Sequence, residues 1–163
     1  MERPWMDTAE GQLVAPGHAA GDVLRAYEWR MLERAPGLLV IEADLPDALK
    51  NPQGQLFGGF TPTYVDFVSI FTLHTLDPDS DPTSPRNWVT TLNMRIDYFE
   101  PIVGPTFTVK GEVVNQRGLN ALVSTKFWHG DERNRAMIPE GVKATVDSLR
   151  EEIVAGRLSV PFE

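Results

Sequence analysis

The chain has 163 residues, enough for one domain whose core needs no metal or disulfide staples. Its composition is that of an ordinary globular protein, with 42% hydrophobic and 23% charged residues, and the lack of cysteine excludes a disulfide framework, Cys-ligated zinc, an iron-sulfur cluster and a cysteine nucleophile. The net charge of −8 disfavours nucleic acid and anionic membranes as partners, no apolar run approaches the roughly 20 residues of a bilayer span, and the opening MERPWMDTAE lacks the basic and apolar regions of a signal peptide, so a cytoplasmic location is expected.

Residues 1–26 are rich in Gly, Ala, Pro and acid with little periodicity, and suggest a mobile arm or an irregular cover. A single domain is expected over residues 27–163. From Tyr27 to Arg34 apolar and polar residues alternate, Ala35-Pro36-Gly37 turns, and Leu38 to Leu45 runs LLVIEADL. Two strands joined by a tight turn is the simplest reading. A helix over Asp22–Arg34 competes, because Leu24, Tyr27, Met31 and Arg34 also fall on helical spacing; Pro36-Gly37 favours the hairpin.

The stretch Asn51 to Asp66, NPQGQLFGGFTPTYVD, is the most informative. Asn51-Pro52 and Gly54 are turn chemistry, and the apolar run that follows Gly58-Gly59 predicts a helix from about Phe60 to Leu76. Tyr64, Val65, Phe67, Val68, Ile70, Phe71 and Leu73 make it apolar nearly all round, as in a buried helix. Gly58 and Gly59 then stand at its N-terminus. Free N–H groups and the positive end of the macrodipole gather there and suit a carbonyl oxygen that becomes negative during reaction. Asp66 lies about 10 Å of helix further on. A carboxylate inside an apolar helix is costly to bury unless it is paired or used; a backbone-bonded Asp or one lining a wet subunit contact is the alternative.

Asp77 to Asn87, DPDSDPTSPRN, reads as an exposed loop. Three extended stretches follow, Trp88–Tyr98, Thr106–Asn115 and Leu119–His129, rich in Val, Thr, Ile and aromatics and separated by short turns, hence antiparallel neighbours. Room remains for a short strand over Arg135–Ile138. Val142, Val146, Leu149 and Ile153, with Pro139 before and Gly156 after, predict an amphipathic C-terminal helix. One long helix, a hairpin before it and a meander after it make an α+β plan in which the sheet wraps the helix.

The spacing of Asn51, Gly54, Gly58, Gly59 and Asp66 resembles the N-x-x-G-x-x-H-G-G-x-x-x-x-x-x-D pattern of hotdog-fold acyl-CoA thioesterases, the phenylacetic-acid-pathway and 4-hydroxybenzoyl-CoA type. Phe57 stands where that family has His. The resemblance covers Tyr27 to His129. It implies a hotdog fold, an antiparallel sheet around a long central helix, here with an added C-terminal helix, in a homodimer or homotetramer whose sheets join edge to edge, so that the acid of one subunit faces groups of the other. It implies hydrolysis of an acyl-CoA substrate without cofactor or metal. Asp66 would attack the thioester or activate water, the Gly58 N–H would polarise the carbonyl beside Gly59, and the Asn51 amide would assist or hold the water. A plain Asx-turn at Asn51 remains open.

Counting back from Pro101, Thr91 matches a hydroxyl residue that related enzymes bring from the partner subunit to orient water, although a strand Thr is more often structural. Phe57 would meet substrate without a donor or acceptor, which favours a second reading, a non-catalytic acyl or aromatic-ligand binding protein. Arg117 and Gly118, in NQRGLN, fall where the family binds the nucleotide of coenzyme A, and a hairpin turn explains them as well. A polyanionic ligand needs a local basic cluster on this acidic chain, for which Lys110, Arg117, Arg133 and Arg135 are candidates. His74 follows Asp66 by two helical turns and reads as a satisfied helix-end residue; His18 and His129 sit in unrelated segments.

Overall fold

Pro36 and Gly37, the latter at φ 76, turn the chain between β1 (Arg30–Ala35) and β2 (Leu38–Asp44), the hairpin that the alternating pattern predicts. The computed structural model of the chain describes residues 8–77 and 89–129. β3 (Thr106–Arg117) pairs antiparallel with β2, and β4 (Asn120–Trp128) with β3, giving a four-stranded sheet in the order β1-β2-β3-β4. Gly118, at φ 59, supplies the backbone conformation that the two-residue turn between β3 and β4 requires. Irregularities between Met31 and Glu33 and between Val113 and Asn115 mark bulges that add twist.

One face of the sheet carries Leu39, Ile41 and Ala43 directly opposite Gly111, Val109 and Phe107. All five apolar side chains are buried. Against them lies α2 (Thr61–His74), which opens with Pro62 in its first turn, where a missing N–H costs nothing. Its buried residues Tyr64, Phe67, Val68 and Thr72 fall at helical offsets of 3, 1 and 4 and form one stripe. Tyr64 stacks on Trp29 at 5.4 Å and meets Phe107 edge-on at 5.3 Å. Fully burying side chains of this size contributes roughly 1.5–3 kcal/mol each, so this aromatic stripe fixes which face of α2 is turned inward. The other face, including Val65, Asp66, Ser69 and Ile70, is half-buried, which corrects the expectation of a helix enclosed all round.

Gly111 lets α2 approach the sheet closely, since a Cβ there would collide with Thr72 Oγ1 and lie 3.1 Å from Val68 Cγ1. The helix ends at Thr75, whose hydroxyl donates to the Thr72 carbonyl and accepts from the Gly37 N–H at 2.8 Å, tying the helix end to the first hairpin.

The opening segment packs on the core between Val14 and Ala26. His18 caps the short helix α1 (Ala19–Leu24) by accepting the Gly21 N–H, its ring meets Phe67 edge-on at 5.1 Å, and Val14, Leu24 and Ala26 are buried in the core. Burial of three apolar side chains offsets the entropy of ordering a segment that composition alone leaves unstructured.

Trp88 lies outside the described residues, and residues 89–99 form no ladder, a correction to the strand expected there. β-branched composition favours extension, yet a strand exists only where a neighbour accepts its backbone groups. The expected loop after Asp77, the strand over Arg135–Ile138 and the C-terminal helix lie outside the described residues, as do Arg133 and Arg135.

Candidate functional site

Asn51 builds the loop that leads into α2. Its side-chain oxygen accepts the N–H groups of Gln53 and Gln55, both at 3.0 Å, its own N–H donates to the Gln55 carbonyl at 2.7 Å, and Gly54 donates back to the Asn51 carbonyl at 2.9 Å. Gly54 takes φ 78 in this turn. This is the Asx-type arrangement, with Asn Oδ1 engaged by the loop and Nδ2 directed at Gln55 Oε1 at 3.3 Å, so only the second Nδ2 hydrogen is left for a ligand. The loop is stitched to its surroundings by Phe57 N–H to the Leu49 carbonyl and Leu56 N–H to the Ile102 carbonyl, both at 2.8 Å.

The helix start is a tight turn over Gly58–Phe60 that runs into Thr61. Phe60 N–H donates to the Phe57 carbonyl at 2.8 Å and Thr61 N–H to the Gly58 carbonyl. The N–H groups of Gly58 and Gly59 have no acceptor among the described residues, as expected of the first positions of a helix. Phe57 is 55% exposed and its ring covers Gly59: a Cβ on Gly59 would lie 2.7 Å from Phe57 Cε1. An apolar ring thus occupies the place where the family pattern has an imidazole, and it lies over Gly59.

Asp66 stands on the half-buried face of α2. Thr91 Oγ1 donates a short hydrogen bond to Asp66 Oδ1, and no described residue bonds Oδ2. Within the single chain Thr91 itself reaches Asp66. Seven residues beyond Thr91, the Tyr98 hydroxyl donates to the Gly58 carbonyl at 2.8 Å. Segment 89–99 therefore crosses α2 from Asp66 back to its start. One turn along α2 from Asp66, Ser69 shares a hydrogen bond of 3.0 Å with Thr125 of β4. Tyr98, Ser69 and Thr125 were not singled out from sequence, and no local signal marks them, since their partners lie 40 and 56 residues away.

Other candidates lie elsewhere. Arg117 and Gly118 form the tip of the β3–β4 hairpin, six residues beyond Gly111 and so about 20 Å along the strand from the point where α2 crosses. Lys110 is adjacent to Gly111 and hence on the sheet face away from α2, where it pairs with Glu112 at 3.0 Å and stands across from Lys126. His74 lies in the last turn of α2 with its ring edge-on to Phe71, and His129 Nε2 lies 3.0 Å from the Pro101 carbonyl. Among the described residues no three acidic or imidazole groups converge as a metal site requires.

A family model described as the thioesterase superfamily matches residues 53–136, 84 of the 163 in the chain. No curated protein sequence matches it. Among solved structures, the chain is similar to zebrafish thioesterase superfamily member 2 at 23% identity over 71% of this chain and 77% of that one, with a TM-score of 0.57. A phenylacetic acid degradation-related protein from Ralstonia eutropha is similar at 20% identity over 71% and 83%, TM-score 0.56. A hypothetical thioesterase from Streptococcus pneumoniae, solved with coenzyme A, is similar at 20% over 63% and 74%, TM-score 0.53. The shared arrangement is the hotdog fold, an antiparallel sheet laid about a long helix.

Proposed function

We propose, since the chain belongs to the thioesterase superfamily, that it hydrolyses acyl-CoA thioesters to the free acid and coenzyme A. The observation that carries this reading is the hydroxyl-carboxylate pair: Thr91 holds Asp66 Oδ1 and leaves Oδ2 to a water or to the substrate. The thioester carbonyl accepts from the amide hydrogens at the helix start, of which Gly58 is first and Gly59 second, and charge that develops on its oxygen meets donors that need no rearrangement. Asp66 removes a proton from water as the water oxygen bonds to the acyl carbon; the C–S bond then breaks and the proton passes to the coenzyme A sulfur. Direct attack by Asp66, through an anhydride that water opens, is the other route open to the same carboxylate. Asn51 keeps one amide hydrogen for the incoming water.

Gly59 and Asp66 are about 10 Å apart along one helix, and in the arrangement that the resemblance implies the acid of one subunit faces groups of the other. A homodimer or homotetramer supplies that arrangement. Leu92 and Phe99, 83% and 90% exposed on a segment with no ladder partner among the described residues, support such an association. Arg117 at the hairpin tip is then a contact for the nucleotide end of coenzyme A, and a location in the cytoplasm, where acyl-CoA is available, is part of the proposal; no helix among the described residues is long and apolar enough to cross a membrane.

The test is release of free thiol from a panel of short, medium, long and aromatic acyl-CoAs by the purified protein beside Asp66→Ala. Turnover that falls about 100-fold or more in the variant supports the reading. The Phe57 ring over Gly59 favours one rival, an acyl or aromatic-ligand binding protein without turnover. Saturable acyl-CoA binding with thiol release no greater than that of Asp66→Ala would establish the rival instead.

A further inference from the structure

The Gly58 carbonyl has two donors, the Thr61 N–H of the helix and the Tyr98 hydroxyl from segment 89–99. The second is unusual for a helix start, where carbonyls are already paired along the helix and only N–H groups are left over. Tyr98 is also in packing contact with Gly58, since a Cβ there would lie 3.5 Å from Tyr98 Cε1. Ring and hydroxyl together grip a peptide that has no side chain of its own. That peptide joins Gly58 to Gly59. Its carbonyl and its N–H point in opposite directions across one rigid plane, so fixing the Gly58 oxygen also aims the Gly59 N–H. The neighbouring peptide is fixed in the same manner, with the Phe57 carbonyl accepting the Phe60 N–H while the Gly58 N–H points away.

We propose that Tyr98 is a positioning residue for the reaction: by holding the Gly58 carbonyl it keeps the two glycine N–H groups convergent on the thioester oxygen. This rests on the acyl-CoA hydrolase reading above. The hydroxyl acts in two ways. It removes the rocking freedom that a Gly-Gly peptide otherwise has, and it polarises the amide, so that the Gly59 N–H becomes a stronger donor. Both effects matter more as negative charge grows on the substrate oxygen than in the ground state, so the loss should fall on kcat rather than on KM. Tyr98 is 60% exposed, and trimming its hydroxyl leaves the core untouched.

The experiment compares wild type with Tyr98→Phe, using the acyl-CoA that wild type hydrolyses best. The expected result is a kcat lower by about tenfold with KM changed less than twofold, because an indirect anchor is worth less than the hundredfold of a direct oxyanion donor. The glycine-selective 15N spectrum gives a second reading that needs no turnover: the Gly58 and Gly59 amide resonances should shift or broaden in the variant while those of Gly111 and Gly118 stay in place. Equal kcat, or a rise in KM alone, in an active protein overturns the positioning role. Should wild type release no thiol from any acyl-CoA, the hydrolase reading fails by itself. Unchanged Gly58 and Gly59 resonances in Tyr98→Phe would then show that the anchor is absent too, and displaced ones would show that it holds.

Discussion

Alanine at Gly111 tests how closely α2 lies on the sheet. The added Cβ would collide with Thr72 Oγ1 and stand 3.2 Å from Thr72 Cβ and 3.1 Å from Val68 Cγ1. Thr72 cannot swing away freely, because its hydroxyl donates to the Val68 carbonyl at 2.7 Å and the residue is fully buried. Relief therefore requires α2 to lift from β3, and overpacking of this kind costs typically 1–3 kcal/mol. With backbone on one side and a buried β-branched side chain on the other, we expect the upper end, about 3 kcal/mol, or a fall in Tm of about 6–12 °C for a chain of this length. Trp29, stacked on Tyr64, reports the transition by fluorescence in urea. Thr72→Ala removes the colliding oxygen at a cost of about 1–2 kcal/mol for the lost bond and methyl. The double variant should thus be less destabilised than the sum of the singles by at least about 1.5 kcal/mol. Simple additivity of the two losses would refute the close-approach argument, whatever the size of each.

Among the described residues Tyr64 is the buried side chain whose polar atom lacks a hydrogen bond, and burial pushes the phenol pKa well above its usual 10. Tyr64→Phe should be neutral or stabilising by up to about 1 kcal/mol in urea denaturation at pH 7, since it removes an unpaid desolvation. The sign with pH follows from the raised folded pKa: below pH 10 the neutral phenol is common to both states, and as pH rises further the unfolded chain ionises first, so wild type loses stability against Tyr64→Phe only above about pH 10. A single turnover of enzyme in excess, in 18O-labelled water, tests direct attack by Asp66: unlabelled acid with label in the Asp66 carboxylate marks attack by the carboxylate and opening of the anhydride at the Asp66 carbon, because general-base hydrolysis must place the label in the acid. Thr91→Val should lower kcat by about tenfold through loss of a hydrogen bond to a charged group, and an unchanged kcat would remove Thr91 from the machinery. Arg117→Ala should raise KM for an acyl-CoA several-fold but leave the corresponding acyl-pantetheine unaffected, as the latter lacks the nucleotide phosphates.

The local parts of the fold were legible. Pro36-Gly37 and Gly118 punctuate hairpins whose strands begin and end within a few residues of the expected positions, because turn chemistry and period-two burial are properties of neighbouring residues. The helix was expected from Phe60 and begins at Thr61, preceded by the Gly58–Phe60 turn. Burial around the helix was less legible. Val65, Ile70 and Leu73 are as apolar as Phe67 and Val68, and only the position of the sheet decides that the latter pair is enclosed. Val14 was missed for the converse reason: an isolated apolar residue in a Gly- and Pro-rich segment carries no period, and its burial follows from a core built by residues far along the chain.

The site divides in the same way. Gly54, Gly58 and Gly59 matter through their backbone and Asn51 through side-chain bonds to residues two and four places on, and their spacing alone predicts a turn feeding a helix start. Thr91 and Tyr98 act through register, which sequence does not supply. In a regular strand, residues seven apart point to opposite faces, so both could not address α2. Yet Thr91 reaches Asp66 and Tyr98 reaches Gly58. An irregular path for residues 89–99 is what allows both contacts, and it agrees with the missing ladder there. Thr90 sharpens the point. A slip of one residue would offer another hydroxyl to Asp66 but would move the Tyr98 hydroxyl off the Gly58 carbonyl, so the second contact is the one that selects Thr91 over Thr90. The bonds of Thr91 to Asp66 and of Tyr98 to Gly58 are thus two contacts that one path of residues 89–99 satisfies together.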